Sequence, residues 1–374
     1  MSFHYINESL DRESNRRKLL VGNCLLEIPQ PRPLNLSTGY CDHGLLAPHL
    51  PRDYNSPSGI QTAVQALSAR GGGALEDTVS LTPIGEPRQK ITIASLREKI
   101  LHREPITCLT AYDYATARLV DEAGIDIILV GDSLAQTMLG YDNTLTVTID
   151  EMLHHTKAVR RAVKNALLVA DMPFGSYHVS PDEAVSNAAR FIKEGGAEAV
   201  KIEGGEKRAD LIRRIIDAEI PVAGHIGLTP QSVNMMSGYK VQGKTLTGIE
   251  QLMRDAVALD RAGVACIYLE GIPREVAAMI TAEVSTPTIG IGAGPECDGQ
   301  VLVIHDILNL NFGTPAKFVR RYGDAAALIS DAVQAFRADV VSGQYPSDGE
   351  SYHLPKETRS ALDTVLERKR GIRR

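Results

Sequence analysis

Short apolar runs rich in β-branched residues alternate with longer amphipathic stretches from about residue 91 onward. The runs predict eight strands, at residues 106–112, 125–132, 166–173, 199–204, 221–227, 265–271, 287–292 and 301–306. Between them, apolar positions recur with helical spacing and predict helices that include 115–123, 149–163, 181–194 and 249–262. This alternation is typical of an α/β protein with a parallel sheet covered by helices.

Eight strand–helix units in about 250 residues favour a closed (β/α)₈ barrel, the TIM barrel, over an open doubly wound sheet. The predicted elements depart from the regular strand–helix alternation in one place. Residues 293–300, between the last two strands, leave room for little more than a helical turn. Helical spacing returns at 324–341 and 361–370. The predicted organisation is a Pro/Gly-rich, partly disordered N-terminal extension, the barrel and a C-terminal tail, at residues 1–90, 91–345 and 346–374.

The composition argues against nucleic-acid-binding and membrane proteins. The 374 residues are 43% hydrophobic and 23% charged, which suits a globular chain with a sizeable core. A net charge of -6 gives no field that would attract nucleic acid, so no such partner is expected. No stretch approaches the roughly 20 apolar residues that span a bilayer, so we expect no membrane association.

The five cysteines and the N-terminal charges bear on the compartment. None of the cysteines forms a Cys-x-x-Cys pair, which favours a reducing compartment without a thiolate metal site. The basic residues at 12–18 would suit an organelle transit segment, but Glu8, Asp11 and Glu13 lie among them, and transit peptides are poor in acid. We expect a cytoplasmic protein, with the mitochondrion as the alternative.

Four predicted strands end in a carboxylate: Asp132, Asp171, Glu203 and Glu270. In a barrel of this kind, the active site lies at the C-terminal ends of the strands. A single acidic residue there is as readily explained by a solvated rim, but four at equivalent positions favour a functional cluster. Such carboxylates would repel and raise one another's pKa unless a cation compensates for their charge.

The ligand types indicate which cation fits. The available donors are oxygens, with neither a His pair at metal spacing nor a Cys cluster, so Mg²⁺ or a similar hard ion is expected and zinc is disfavoured. Such an ion polarises a substrate carbonyl and stabilises the enolate that forms when the neighbouring carbon loses its proton.

Lys201 and His225 complete the candidate cluster. Lys201 and Glu203 are two residues apart on one strand, so both side chains should point to the same face. Lys201 would pair with a substrate carboxylate, or alternatively form an ion pair with Glu203 or Asp171. His225, near the end of the fifth strand, could bond substrate, orient Glu270 or play a structural role. His154 and His155 are expected on the surface of a helix.

Seven motifs occur together along the chain: TAYDY (110–114), VGDSL (130–134), ADMPF (170–174), VKIEGG (200–205), GHIGLTPQS (224–232), GYKVQG (238–243) and GIGAG (290–294). Through them, residues 92–345 resemble the ketopantoate hydroxymethyltransferase family. The resemblance implies a (β/α)₈ barrel of the phosphoenolpyruvate/pyruvate superfamily. It also implies transfer of a hydroxymethyl group from 5,10-methylenetetrahydrofolate to 3-methyl-2-oxobutanoate, giving 2-dehydropantoate and tetrahydrofolate on the pantothenate branch towards coenzyme A.

The resemblance also implies roles for individual residues. Asp132, Asp171 and Glu203 would bind one Mg²⁺ per subunit, directly or through water, with Mn²⁺ or Co²⁺ as substitutes. The keto acid would contact Asp132, Ser133, Asp171 and Lys201, and Glu270 would be the catalytic proton acceptor. The family commonly assembles as a homodecamer.

Two other functions stay open at this point. A lyase or mutase of the same superfamily would use the same metal and enolate on other 2-oxo or 2-hydroxy acids, although the chain has no KKCGH stretch of the isocitrate-lyase type. A catalytically silent barrel that binds a metabolite or scaffolds an oligomer is the other alternative, because a fold alone does not prove activity. The intact carboxylates argue against it.

Overall fold

The computed structural model describes residues 16–21, 24–29 and 88–371, which fall in two compact units, Met1–Thr82 and Pro83–Arg374. In the first unit, β1 (Arg16–Val21) and β2 (Cys24–Pro29) form an antiparallel pair with Val21 opposite Cys24. No strand was predicted here, although a Gly-Asn pair between two apolar runs is a hairpin signal. The predicted disorder of this extension otherwise falls outside the described residues.

The second unit contains eight parallel strands that close into a barrel in the order β10-β3-β4-β5-β6-β7-β8-β9. They are β3 (Ile106–Thr110), β4 (Ile127–Val130), β5 (Leu167–Asp171), β6 (Ala199–Glu203), β7 (Val222–Gly227), β8 (Ile267–Glu270), β9 (Thr288–Ile291) and β10 (Gly299–Leu302). Each lies within or overlaps a predicted strand, and the predicted (β/α)₈ barrel is confirmed.

Helices follow most of the strands. They are α1 (Ile93–His102), α2 (Tyr114–Glu122), α3 (Leu134–Thr137), α4 (Ile149–Ala162), α5 (Pro181–Lys193), α6 (Ala209–Asp217), α7 (Val233–Met236), α8 (Leu246–Ala262), α9 (Arg274–Glu283), α10 (Ile304–Ile307), α11 (Ala325–Ser342) and α12 (Lys356–Gly371). Short 3₁₀ turns lie at Glu206–Arg208, Pro230–Ser232 and Asp348–Glu350. Across these described residues, no helix is long and apolar enough to cross a membrane.

Local sequence signals set the helix ends. Thr148 and Glu151 form a reciprocal capping box at the start of α4, which satisfies backbone N–H groups that have no partner inside the helix. Ser180 caps α5 immediately before Pro181, whose fixed φ suits the first helical position. Gly263 ends α8 in the left-handed conformation at φ 85°.

The core has two layers on either side of the barrel wall. On β6, Val200 and Ile202 pack outward against the helices, whereas Ala199 belongs to the apolar cluster inside the barrel. Strand side chains alternate, so Lys201 and Glu203 share the inner face, as predicted. Leu96 of α1 is fully buried in the inner cluster and closes the end of the barrel opposite the carboxyl ends of the strands.

The last strand–helix unit departs from the prediction. β10 ends at Leu302 rather than at the predicted residue 306, because the N–H of Ile304 donates to Oγ1 of Thr110 (3.0 Å) and the chain turns into α10. Residues 292–298 contain no helix, as their small number predicted. Helix α11 buries none of its side chains and leaves Leu328, Val333 and other apolar residues exposed.

Candidate active site

The polar residues predicted at the strand ends are brought together inside the mouth of the barrel and are almost completely buried. Asp132, Asp171, Glu203 and His225 expose 5%, 2%, 5% and 2% of their surface. A solvated acidic rim would leave such side chains in water, so that interpretation is excluded. Burying charges without compensation is costly, which indicates that this cluster is built to hold a ligand or a counter-charge.

Lys201 is the buried cation of the cluster. Its Nζ lies 3.1 Å from Oδ1 of Asp171, which sits beside it in register on β5, and 5.6 Å from the centre of the Tyr268 ring. Burial acts to lower the pKa of Lys201, but the charges of Asp171, Asp132 and Glu203 outweigh it and raise the pKa. The ammonium therefore stays charged, and of the predicted pairings the structure shows the one with Asp171.

Asp132 follows β4 and faces the other two carboxylates. Its backbone N–H donates to Oδ2 of Asp171 (3.0 Å), and its own Oδ2 accepts from Nε2 of Gln231 (2.9 Å). Burial, followed by the charges of Asp171 and Glu203, raises its pKa well above the ordinary value. The three carboxylates therefore repel one another although Lys201 lies among them, and a further cation would relieve this repulsion.

His225 lies between two carboxylates. Its Nδ1 is 3.5 Å from Oε1 of Glu203 and 3.3 Å from Nζ of Lys201, and its Nε2 is 3.2 Å from Oε2 of Glu270. Burial and Lys201 act to lower its pKa, but the interactions with Glu203 and Glu270 outweigh them and raise the pKa to about 9. The ring is positioned to orient Glu270, one of the roles considered for it.

Glu270 is the most accessible carboxylate of the cluster, with 19% of its side chain exposed. It stands at the end of β8, where Gly227 pairs with it in register. A carboxylate that is held by a neighbouring cation and reachable from the mouth can accept a proton from a bound ligand.

Asp171 and Glu203 each use one carboxylate oxygen for a backbone N–H group. Oδ2 of Asp171 and Oε2 of Glu203 accept from Asp132 and Gln231 respectively. The other oxygens, Oδ1 of Asp171 and Oε1 of Glu203, are buried and accept no well-aligned hydrogen bond in the part of the chain that the structure describes, although Nζ of Lys201 lies 3.1 Å from the first and Nδ1 of His225 lies 3.5 Å from the second. Oxygen ligands of this kind fit a hard divalent ion.

The cluster is not a closed metal cage. Among residues 16–21, 24–29 and 88–371, no three His, Cys, Asp or Glu side chains are grouped closely enough to surround a metal ion by themselves. Mg²⁺ suits such an open arrangement, since it usually keeps several waters and binds through one or two carboxylates together with substrate.

Ser133 is held at the same mouth by Tyr112. Its Oγ lies 2.8 Å from the Tyr112 hydroxyl, whose pKa burial raises to about 12. A Cβ added to Gly131 would lie 2.9 Å from Ser133 Oγ and 3.5 Å from Asp171 Oδ2, so a side chain at this position would crowd both site residues. Of the two histidines predicted on a helix surface, His154 is exposed, whereas His155 is partly buried and its Nδ1 contacts the Tyr112 carbonyl oxygen at 2.7 Å.

Sequence reasoning missed several residues that shape the site, namely Tyr112, Tyr177, Gln231 and Tyr268. Tyr268 could have been predicted from the alternation of side chains along a strand, since it lies two residues before Glu270 and so faces the interior of the barrel. Gln231 lies in the motif at 224–232, but nothing in that motif shows that its side chain reaches Asp132.

Most of the described chain is similar to one known protein family. The family model described as ketopantoate hydroxymethyltransferase matches residues 90–348. The chain is 73% identical over 290 residues to the 3-methyl-2-oxobutanoate hydroxymethyltransferase of Koribacter versatilis (strain Ellin345), covering 78% of this chain and 98% of that protein. The enzyme of the same name from Geobacter sulfurreducens is 56% identical over 261 residues, covering 70% and 98%.

Solved structures of lower similarity include a phosphoenolpyruvate phosphomutase from Streptomyces platensis subsp. rosaceus. It is 16% identical with a TM-score of 0.47, covering 75% of this chain and 99% of that one.

Proposed function

The chain belongs to the ketopantoate hydroxymethyltransferase family and is a hydroxymethyltransferase, and on this premise we propose its reaction. It transfers a hydroxymethyl group from 5,10-methylenetetrahydrofolate to 3-methyl-2-oxobutanoate and, with one water consumed, releases 2-dehydropantoate and tetrahydrofolate. This would be the first step of the pantothenate branch of coenzyme A biosynthesis. The observation that carries the proposal is the buried cluster of three carboxylates around Lys201, with Glu270 accessible beside it.

The proposed cofactor is one Mg²⁺ per subunit, for which Mn²⁺ or Co²⁺ can substitute. Asp132, Asp171 and Glu203 would hold it, directly or through water, and the buried oxygens Oδ1 of Asp171 and Oε1 of Glu203, which accept no well-aligned hydrogen bond among the described residues, support this assignment. When bound, the ion would supply Lewis-acid stabilisation of the negative charge that develops on the keto oxygen.

Lys201 and Ser133 would bind and orient the keto acid, together with Asp132 and Asp171. The ammonium of Lys201 is fixed by Asp171 and by the Tyr268 ring, so it offers a preorganised charge for the substrate carboxylate. The Ser133 hydroxyl, held by Tyr112, supplies a second polar contact. Fixed donors of this kind orient a substrate without reorganisation during the reaction.

Glu270 is the proposed base. It would accept the proton from C3 of the keto acid, leaving the electron pair to form the new bond to the folate-derived carbon. His225 would keep Glu270 in place, since its Nε2 lies 3.2 Å from Oε2 of that side chain. The group proposed to remove the substrate proton is therefore Glu270, the least buried carboxylate of the cluster.

The proposed assembly is a homo-oligomer, a decamer by the family resemblance. The exposed apolar side chains of α11, which include Leu328, Ile329, Val333 and Phe336, support contact with further copies of the chain. The proposed compartment is the cytoplasm, which the free thiols of Cys108, Cys266 and Cys297 support. A native mass measurement tests the assembly.

The reaction is tested by incubating purified protein and Mg²⁺ with 3-methyl-2-oxobutanoate, with and without methylenetetrahydrofolate, and quantifying 2-dehydropantoate. We expect product only with the folate, and exchange of the C3 proton with deuterium even without it. Equal consumption of the keto acid without folate would contradict the transferase proposal. Cleavage of 2-hydroxy acids at a comparable rate would favour the lyase alternative.

A further inference from the structure

Gln231 is a buried residue in the 3₁₀ turn after β7, with 5% of its surface exposed, and its backbone N–H and both side-chain polar atoms are hydrogen-bonded. Its backbone N–H donates to Oε2 of Glu203 (3.0 Å). Its side-chain Nε2 donates to Oδ2 of Asp132 (2.9 Å) and to the carbonyl oxygen of Met172 (3.0 Å). Its Oε1 accepts from the hydroxyl of Tyr177 (2.6 Å).

These contacts fix which way the amide group points. Both N–H bonds of Nε2 face acceptors, and Oε1 faces a hydroxyl donor. A flipped amide would turn its oxygen towards the Asp132 carboxylate and the Met172 carbonyl, and both contacts would become repulsive. Asp132 and Met172 therefore select this orientation of the amide, and the Tyr177 hydroxyl donates to Oε1 in it.

Gln231 contacts two carboxylates from different parts of the barrel. Asp132 follows β4 and Glu203 ends β6, the strands on either side of β5. Gln231 holds Oδ2 of Asp132 and Oε2 of Glu203 at the same time, and this restrains the rotation of both carboxylate groups. In Glu203, the second oxygen, Oε1, is buried and accepts no well-aligned hydrogen bond among the described residues, with Nδ1 of His225 3.5 Å away. The backbone N–H of Gln231 thus engages one oxygen of Glu203 and its side-chain amide engages one oxygen of Asp132, which leaves the second oxygen of each carboxylate available to a cation.

We propose that Gln231 is a positioning residue that holds Asp132 and Glu203 so that each presents a single oxygen to the divalent ion. Tyr177 is its partner, because its hydroxyl donates to Oε1 of the amide and also accepts from the backbone N–H of Glu203 at 3.4 Å. The inference rests on the metal site of the proposed function. It assigns no contact with substrate to Gln231.

The test is the affinity of the full-length protein for Mn²⁺, measured by electron paramagnetic resonance without substrate. We expect Gln231→Leu to raise the dissociation constant about 10- to 100-fold, since loss of an outer partner of a metal ligand has this effect. Tyr177→Phe, which removes one hydroxyl, should raise it by a smaller factor. Gln251→Leu, an identical change on the exposed face of α8, should leave it unchanged.

Activity separates positioning from a general structural defect. In Gln231→Leu, saturating Mn²⁺ should restore most of kcat while the metal concentration for half-maximal rate stays raised. Wild-type Mn²⁺ affinity in Gln231→Leu would overturn the inference. If Gln231→Leu does not fold, Tyr177→Phe is the deciding variant. An unchanged Mn²⁺ affinity in Tyr177→Phe would also overturn the inference. Absence of Mn²⁺ binding by the wild-type protein would instead refute the metal site itself.

Discussion

Nε2 of His225 lies 3.2 Å from Oε2 of Glu270 at the mouth of the barrel. The two residues stand on neighbouring strands, β7 and β8, whose register is fixed by backbone hydrogen bonds. The pKa of His225 is raised to about 9, so the ring is positively charged at neutral pH and both of its nitrogens carry a proton. Ring and Glu270 side chain are thus held as a pair by the sheet, which supports the proposal that Glu270 is the base.

Glu270→Gln should retain metal binding and lose exchange of the substrate C3 proton, because an amide of the same shape cannot accept that proton. The expected fall in exchange rate is about 10²- to 10⁴-fold, the usual contribution of a general base. Proton NMR of 3-methyl-2-oxobutanoate in deuterium oxide measures it. Glu275→Gln, on the exposed surface of α9, is the matched control. Exchange at the wild-type rate in Glu270→Gln would show that another group is the base.

Lys201→Met should make the stability of the protein depend more strongly on a divalent ion. Removing the ammonium leaves Asp171 and its neighbours without their buried counter-charge, and breaking a buried pair in this way costs about 3–5 kcal/mol. Saturating Mg²⁺ should recover part of this loss, because it places positive charge among the same carboxylates. Thermal unfolding with and without Mg²⁺ is the measurement.

The control for that experiment is Lys207→Met, since Lys207 is exposed. We expect the rise in unfolding temperature on adding Mg²⁺ to be larger in Lys201→Met than in the wild type, and unchanged in Lys207→Met. The same rise in all three proteins would mean that Lys201 and the metal ion do not compensate for the same charges.

Gly227→Ala should be more damaging than Gly263→Ala, although both glycines have positive φ, +97° and +85°. A Cβ at Gly227 would lie 2.3 Å from the carbonyl oxygen of Glu270, whereas one at Gly263 would meet nothing within 4 Å. Gly263→Ala should therefore cost about 1–2 kcal/mol of conformational strain alone.

Gly227→Ala adds overpacking of about 1–3 kcal/mol and displaces the strand end that carries Glu270. Urea unfolding and kcat measure the two effects, and only Gly227→Ala should lower kcat. Equal losses of stability and of kcat in the two variants would contradict the predicted contact.

Asp126→Asn should lower stability at neutral pH by about 1–3 kcal/mol, because the buried carboxylate accepts from Thr107, Lys99 and Arg88. Burial acts to raise the pKa of Asp126, but the contacts with Thr107 and Lys99 outweigh it and lower the pKa below 3.8. A lowered pKa in the folded state stabilises the protein above the unfolded pKa, and that stabilisation is lost as the pH falls through the folded value.

The difference in unfolding free energy between wild type and Asp126→Asn should therefore be constant from neutral pH to about pH 5 and narrow below about pH 4. Urea unfolding across this range measures it, with the exposed Asp217→Asn as the control. A difference that widened on acidification would contradict the assigned role.

The sequence by itself determined the strands, most of the helices and the carboxylates at the strand ends. The reason is local: an apolar run predicts a buried strand, and its last polar residue must lie at the mouth of a barrel. Asp132, Asp171, Glu203 and Glu270 could thus be placed without coordinates. The resemblance to a family then gave the substrate and the separate roles.

Only the tertiary structure decided which side chains hold those carboxylates. Gln231 meets Asp132 across 99 positions of the chain, and Thr110 ends β10 through a contact across 194. These hydrogen bonds exist because the barrel closes and joins residues that no local pattern relates. The strand period of two residues and the helix period of 3.6 residues could not show that Gln231 would hold two carboxylates at once. That arrangement depends on the spacing of three strands around the barrel.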